Sequence, residues 1–169
     1  MQRVTASDHR LSEPRPRFHL AVPVDDLTAA CDFYGGVLGC PRGREAGTWV
    51  DWDLYGHQVV THLVSSSVGH VVGRNPVDGD EVPVPHFGVL LDVAHFHELA
   101  GRLEDQGVRF AIEPHVRFAG QPGEQWTMFF HDPAGNALEF KAFADDAEVF
   151  RRPATAGGPP GRGTLPRPG

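Results

Sequence analysis

Apolar positions between Arg17 and Phe143 follow two periods in turn, and the order repeats. Phe18, Leu20 and Val22 alternate with His19 and Ala21, which predicts a strand. Leu27, Ala30, Cys31, Tyr34 and Leu38 then fall on one helical stripe. Asp25 or Asp26 is placed to cap that helix, Gly39 to end it, and Pro41 to keep it from resuming. Two strands follow, Thr48–Leu54 and Gln58–Val64, joined by the hairpin-sized link Tyr55-Gly56-His57. Residues 65–83 are rich in breakers and acids and read as a long connector or a loop over a site. The pattern then starts again. Pro85–Leu91 predicts a strand, and 94–106 a helix with Phe96, Leu99 and Leu103 inward and Gly107 as its stop. Residues 108–112, 125–130 and 137–143 predict three more strands. The weak place is 42–47, where the first half's second strand belongs.

Asp132-Pro133-Ala134-Gly135-Asn136 is a strong turn signal between the last two strands. In the strand after it, Leu138 and Phe140 share one face while Glu139 and Lys141 share the other. A carboxylate in such a strand is costly to bury unless it is paired or bound to a metal.

The repeat aligns four polar positions. His19 and His86, 67 residues apart, lie on the first strand of each half; His62 and Glu139, 77 apart, lie on the last. If an approximate two-fold axis relates the halves, three imidazoles and a carboxylate converge, a good transition-metal donor set. An isolated strand histidine is more often a hydrogen-bonded core or surface residue. Four positions aligned by a repeat are harder to dismiss, with His62 the least secure. Trp52, Tyr55, Trp126, Met128 and Phe130 suit either an aromatic-accepting pocket or the core. Arg117 and Gln125 flank the loop 118–124, facing either substrate or solvent.

Composition narrows the classes. Residues 18–150 carry 7 Lys and Arg against 20 Asp and Glu, so the folded body repels phosphate backbones and nucleic acid is not an expected partner. The Arg/Pro/Gly-rich end has too little apolar surface to order itself. Tails at 1–16 and 150–169 are expected to stay unfolded. Cys31 and Cys40 suit a reduced compartment, and no run is apolar enough for a membrane span or a signal peptide. A soluble cytoplasmic protein without membrane partners is expected.

Phe18-His19-Leu20, Val24-Asp25-Asp26-Leu27, Asp32-Phe33-Tyr34 through Leu38-Gly39, His86-Phe87-Gly88-Val89 and Phe130-His131-Asp132 through Phe140 together resemble the vicinal oxygen chelate superfamily. That superfamily includes glyoxalase I, extradiol dioxygenases, fosfomycin- and bleomycin-resistance proteins and epimerases. The resemblance covers 17–143 and implies an α+β fold: two βαβββ modules (17–65 and 84–143, with 66–83 as connector) forming a cupped, half-open mixed β-barrel with helices outside. It implies a divalent metal held by His19, His86 and Glu139, like the two-His-one-carboxylate set of extradiol dioxygenases. His62 stands where glyoxalase I-like members carry a fourth ligand, usually Glu, and is expected to ligate or to carry protons. Trp52, Arg117, Gln125, Trp126 and Met128 are the expected substrate-facing residues. Fe(II) with O₂ is favoured, cleaving a small substrate through two vicinal oxygens. A lyase or isomerase using Zn(II), Ni(II), Co(II) or Mn(II) is the alternative. A metal-free drug-binding protein comes third, because the ligand positions are intact. A homodimer, with the cup built within one chain or by exchange of modules, is expected.

Overall fold

The computed structural model describes residues 16–65 and 73–151. Nearly all of both tails lies outside those residues. Strand β1 (His19–Val24) leads into helix α1 (Leu27–Cys31), which Asp26 caps by accepting from the Thr28 and Ala29 amides at 2.7 and 3.1 Å. The helix widens at Asp32–Val37 into a π-helical segment, where Gly35-Gly36 weakens the regular ladder and the adjacent Phe33 and Tyr34 are both buried. A single regular helix to Leu38 is therefore not what forms.

Strands β2 (Arg42–Ala46), β3 (Trp49–Leu54) and β4 (His57–Leu63) complete the first module, in the order β1-β4-β3-β2. β1 runs parallel to β4, and the other neighbours are antiparallel. β2 fills the weak place at 42–47; all five of its residues are exposed, so it left no hydrophobic signature. Tyr55 and Gly56 turn the β3–β4 hairpin with φ of 52° and 87°, the doubly left-handed geometry of tight hairpins.

The connector contains structure of its own. Strands β5 (Gly73–Val77) and β6 (Asp80–Val84) form a hairpin around Asp78-Gly79; residues 66–72 lie outside the described part. The second module follows with β7 (Leu90–Leu91), α2 (Val93–Asp105), β8 (Phe110–Arg117), β9 (Gln125–His131) and β10 (Ala137–Ala142), ordered β7-β10-β9-β8. The same topology thus appears twice, as the duplicated pattern predicts, and the expected mixed sheets of two βαβββ modules are present. Among the described residues, the two sheets are not hydrogen-bonded to each other.

One apolar core serves both modules. Tyr34 stacks on Trp52 at 5.8 Å between ring centres, Phe33 meets Phe130 at 6.2 Å, and Tyr55 meets Phe140 at 6.1 Å. Phe33, Tyr34 and Leu99 come from the helical segments, and Trp52, Met128, Phe130, Leu138 and Phe140 from the sheet faces those segments cover. Strand alternation therefore turns His19 and Glu139 onto the opposite faces.

Candidate metal centre

The segment before β7 runs alongside β10 at very close range. Phe87 N–H donates to Ala137 O at 3.2 Å, and Glu139 N–H to Phe87 O at 2.8 Å. Gly88 makes this approach possible: a Cβ there would stand 1.7 Å from the Glu139 carbonyl oxygen. The result sets His86 beside Glu139, with Nε2 3.0 Å from Oε2. His86 Nδ1 is 2.6 Å from Pro83 O; a carbonyl only accepts, so Nδ1 is the donor there and Nε2 faces the carboxylate.

Glu139 is 5% exposed and surrounded by donors. Its Oε1 accepts from Thr127 Oγ1 at 2.8 Å and lies 3.9 Å from Arg117 Nη1. Its Oε2 is shared by His86 and by Lys141 Nζ at 3.2 Å. Burial pushes the Glu139 carboxyl up, but the His86 hydrogen bond, the Lys141 charge and the Thr127 hydroxyl outweigh it and hold the group below its ordinary value. The hydrogen bond to Glu139 raises the His86 imidazole, against its own partial burial and the Lys141 charge.

The surrounding wall is also polar. Arg117, almost wholly buried, donates from Nη2 to Asp80 Oδ2 at 2.7 Å and lies 5.8 Å from the Phe129 ring centre. His115 Nε2 reaches the same Asp80 oxygen at 3.1 Å. The β5–β6 hairpin is thereby tied to the Glu139 side of the second sheet. His86, Glu139 and Lys141 border a hollow of about 260 Å³ with Phe87, Gly88, Val89 and Leu90.

Of the expected ligands, His86 and Glu139 come together, and His19 stands elsewhere. His19 is exposed on the first sheet, with Nδ1 2.8 Å from Gln58 Oε1; Gln58 in turn donates to Asp51, which also receives Arg44. His62 is exposed at the end of β4, opposite Trp49. Among the described residues, no group of three or more His, Cys, Asp or Glu side chains is placed to hold a metal ion. The separation of the sheets explains this: the shared core lies between the two faces that carry the expected ligands.

The two residues that do meet fit a divalent ion. Cis ligands about 2.1 Å from one octahedral ion stand about 3 Å apart, and His86 Nε2 and Glu139 Oε2 are 3.0 Å apart. A cation would replace the proton that otherwise binds them.

The expected substrate-facing residues divide by face. Arg117 and Gln125 lie on the Glu139 face, both buried. Trp52 and Met128 are in the shared core, and Trp126 packs against it. Trp52 stacks there on Tyr34 and donates to Thr61 Oγ1 at 3.1 Å. Lys141, Thr127, Asp80 and His115 were not singled out by sequence. The first two were legible from the alternation around Glu139, whereas Asp80, on a connector, left no signal.

A model of the Glyoxalase/Bleomycin resistance protein/Dioxygenase superfamily matches residues 18–140. Among solved structures, a glyoxalase/bleomycin resistance protein/dioxygenase from Alicyclobacillus acidocaldarius is 34% identical with a TM-score of 0.69, covering 83% of this chain and 100% of that one. A lactoylglutathione lyase from Agrobacterium tumefaciens is 25% identical with a TM-score of 0.55, covering 78% and 96%. The fosfomycin resistance protein FosX from Listeria monocytogenes, 15% identical with a TM-score of 0.58 over 80% and 98%, shares the fold. No curated protein matches the chain in sequence. The duplicated topology, the match across both modules and the 34% identity over the whole length of the Alicyclobacillus protein agree, and the chain belongs to the Glyoxalase/Bleomycin resistance protein/Dioxygenase superfamily.

Proposed function

We propose that the protein is a divalent-metal enzyme acting on a small substrate with two adjacent oxygens, as an extradiol-type dioxygenase using Fe(II) and O₂. The observation that carries this reading is the His86 Nε2–Glu139 Oε2 pair at 3.0 Å, with the other imidazole nitrogen already committed to Pro83 O. His86 and Glu139 hold the ion from the second module. His19 completes the set from the first module of a second copy, because within one chain it faces away across the core. β1 and β7 support such an exchange: each is an outer strand of its sheet, and Phe18 beside β1 and Leu90 in β7 are 59% and 53% exposed.

The ion would supply Lewis-acid polarisation of the two substrate oxygens and, as Fe(II), a site for O₂. The protein's own groups orient and neutralise. Thr127 fixes Glu139, Pro83 O fixes the His86 ring, and Arg117, Phe129 and Gln125 wall the face. A redox-neutral lyase or isomerase is the second reading, favoured by the likeness to the lactoylglutathione lyase.

Metal analysis of anaerobically purified protein, followed by oxygen uptake with a panel of catechols and of α-oxygenated carboxylates, separates the two readings. Iron with O₂ consumption is the expected result. Zinc or nickel without uptake moves the assignment to the second reading, and protein that retains no metal in a His86-dependent way removes both.

A further inference from the structure

Lys141 is the only lysine in the chain; its other 14 basic side chains of the Lys/Arg class are arginine. It stands two residues after Glu139 on the same face of β10, with Nζ 3.2 Å from the oxygen that His86 also contacts. The two carboxylate oxygens have different kinds of partner. Oε1 is held by Thr127, which is wholly buried, and faces Arg117, whose side chain is 3% exposed. Oε2 is held by His86 and Lys141, whose side chains are 28% and 29% exposed at the hollow. Oε1 thus has buried partners, whereas both partners of Oε2 reach the hollow.

The identity of the residue matters here. An arginine fork binds a carboxylate through two parallel bonds and would retain Glu139 against a competing cation. A lysine ammonium is a point charge on a flexible stem, making a single contact that it can leave and remake nearby. A chain that uses arginine everywhere else carries its one lysine at the Glu139 oxygen that His86 also contacts.

We propose that Lys141 is an exchangeable counter-ion: it neutralises Glu139 Oε2 until a divalent ion takes that oxygen, and then pairs with a carboxylate of the substrate. The inference rests on the divalent-metal reading above and narrows its substrate class to α-oxygenated carboxylates. One acid oxygen and the neighbouring oxygen would be available to the ion, leaving the remaining acid oxygen for Lys141.

The test uses Mn(II), oxalate and catechol with full-length wild type, Lys141→Met and His86→Ala. Oxalate and catechol both chelate through adjacent oxygens, but only oxalate keeps free carboxylate oxygens. Removing the competing ammonium should tighten Mn(II) binding several-fold, and removing the charge-assisted partner should weaken oxalate binding to the Mn(II)-loaded protein about tenfold while catechol stays within about twofold. Loss of Mn(II) binding in His86→Ala locates the ion. If that dependence is present but Lys141→Met leaves Mn(II) and oxalate unchanged, the inference is overturned and the metal reading stands. If wild type and His86→Ala bind Mn(II) alike, both fall.

Reductive ¹³C-methylation of wild type gives a readout free of any mutation, because one lysine yields one lysine resonance. It should move on adding Zn(II), and again on adding oxalate but not catechol. A resonance indifferent to both additions overturns the proposal.

Discussion

The Tyr34 hydroxyl donates to Asp132 Oδ2 at 2.9 Å, linking the π-helical segment of the first module to the last turn of the second across 98 positions of chain. Asp132 also accepts from the backbone and side-chain nitrogens of Asn136, at 2.8 and 2.7 Å, and Asn136 Nδ2 reaches Pro23 O at 2.9 Å. The Asp-Pro-x-Gly-Asn turn therefore closes its own loop and pins the second module to β1. Tyr34→Phe removes one buried hydrogen bond but leaves Asp132 satisfied by Asn136, and should lose about 1–2 kcal/mol. Asp132→Ala strands the buried hydroxyl and frees the turn, and should lose about 2–4 kcal/mol. Urea unfolding midpoints with unchanged slopes measure both.

The same pair predicts a pH dependence. Burial, then the charge and hydrogen bond of Asp132, raise the Tyr34 hydroxyl well above 10.0. A group whose folded value is raised contributes its stability in full below the unfolded value and loses it as the pH rises through the folded one. The advantage of wild type over Tyr34→Phe should thus be constant at neutral pH and shrink above about pH 10. An advantage that grew with alkalinity would contradict the assignment.

Gly88 offers a sharper test of how the site is built. A methyl there would overlap the Glu139 carbonyl oxygen, and backbone cannot move aside as a flexible side chain can. Gly88→Ala should force the 86–91 segment off β10, separate His86 from Glu139, and lose at least about 3 kcal/mol or abolish folding. Far-UV circular dichroism and unfolding curves report the stability. Mn(II) binding by the folded fraction should fall together with it. Gly36→Ala, where no atom stands within 4 Å, is the matched control.

Much of this was legible in the sequence, for identifiable reasons. The strands around His19, Glu139 and Trp52 turn one apolar face to the shared core, so their alternation carries both their element type and their side-chain directions. The repeat carried the topology. β2 was faint because Arg42–Ala46 is exposed throughout, and the β5–β6 hairpin was hidden because Asp78-Gly79 reads equally well as loop. Period-2 reasoning applied within a strand placed Glu139 and Lys141 together. It could not say that Trp52 and Met128 share a core across modules, because periodicity is blind to which face meets what. His19 and Glu139 occupy corresponding faces, as expected, yet the packing of the modules through their helix sides keeps those faces apart within one chain.

The cysteines report on that packing. Burial, aided by Asp53 and opposed by Arg102, pushes the Cys40 thiol up to about 12. It lies in the module seam, where a hollow of about 490 Å³ opens between Tyr55, Asp53 and Arg102. The thiolate is the reactive form, so Cys40 should be inert to a disulfide reagent at pH 8 in the native protein. Cys31, partly exposed on α1, should react. Native protein should then release about one equivalent of chromophore, and denatured protein about two. Rapid native labelling of Cys40, identified by peptide mapping, would mean that the seam opens far more readily than its packing implies.

Exchange of modules makes a prediction that no single-chain site can meet. If modules are exchanged between two copies, His19→Ala and Glu139→Ala chains would each form dimers in which both shared centres lack a ligand. In a mixed dimer, the His19→Ala chain supplies intact His86 and Glu139, and the Glu139→Ala chain supplies intact His19. One centre is then whole and the other doubly damaged. Co-expressed chains with different tags, purified by both, should bind one tight Mn(II) ion per dimer, where wild type binds two and the parents bind neither tightly. Sedimentation establishes that the species is a dimer, so a negative result is not a failure to assemble. Mixed dimers as empty as their parents would confine the centre to one chain. His19 would then have to reach His86 and Glu139 by a rearrangement that breaks the Tyr34–Asp132 link, and Tyr34→Phe would raise Mn(II) affinity instead of leaving it unchanged.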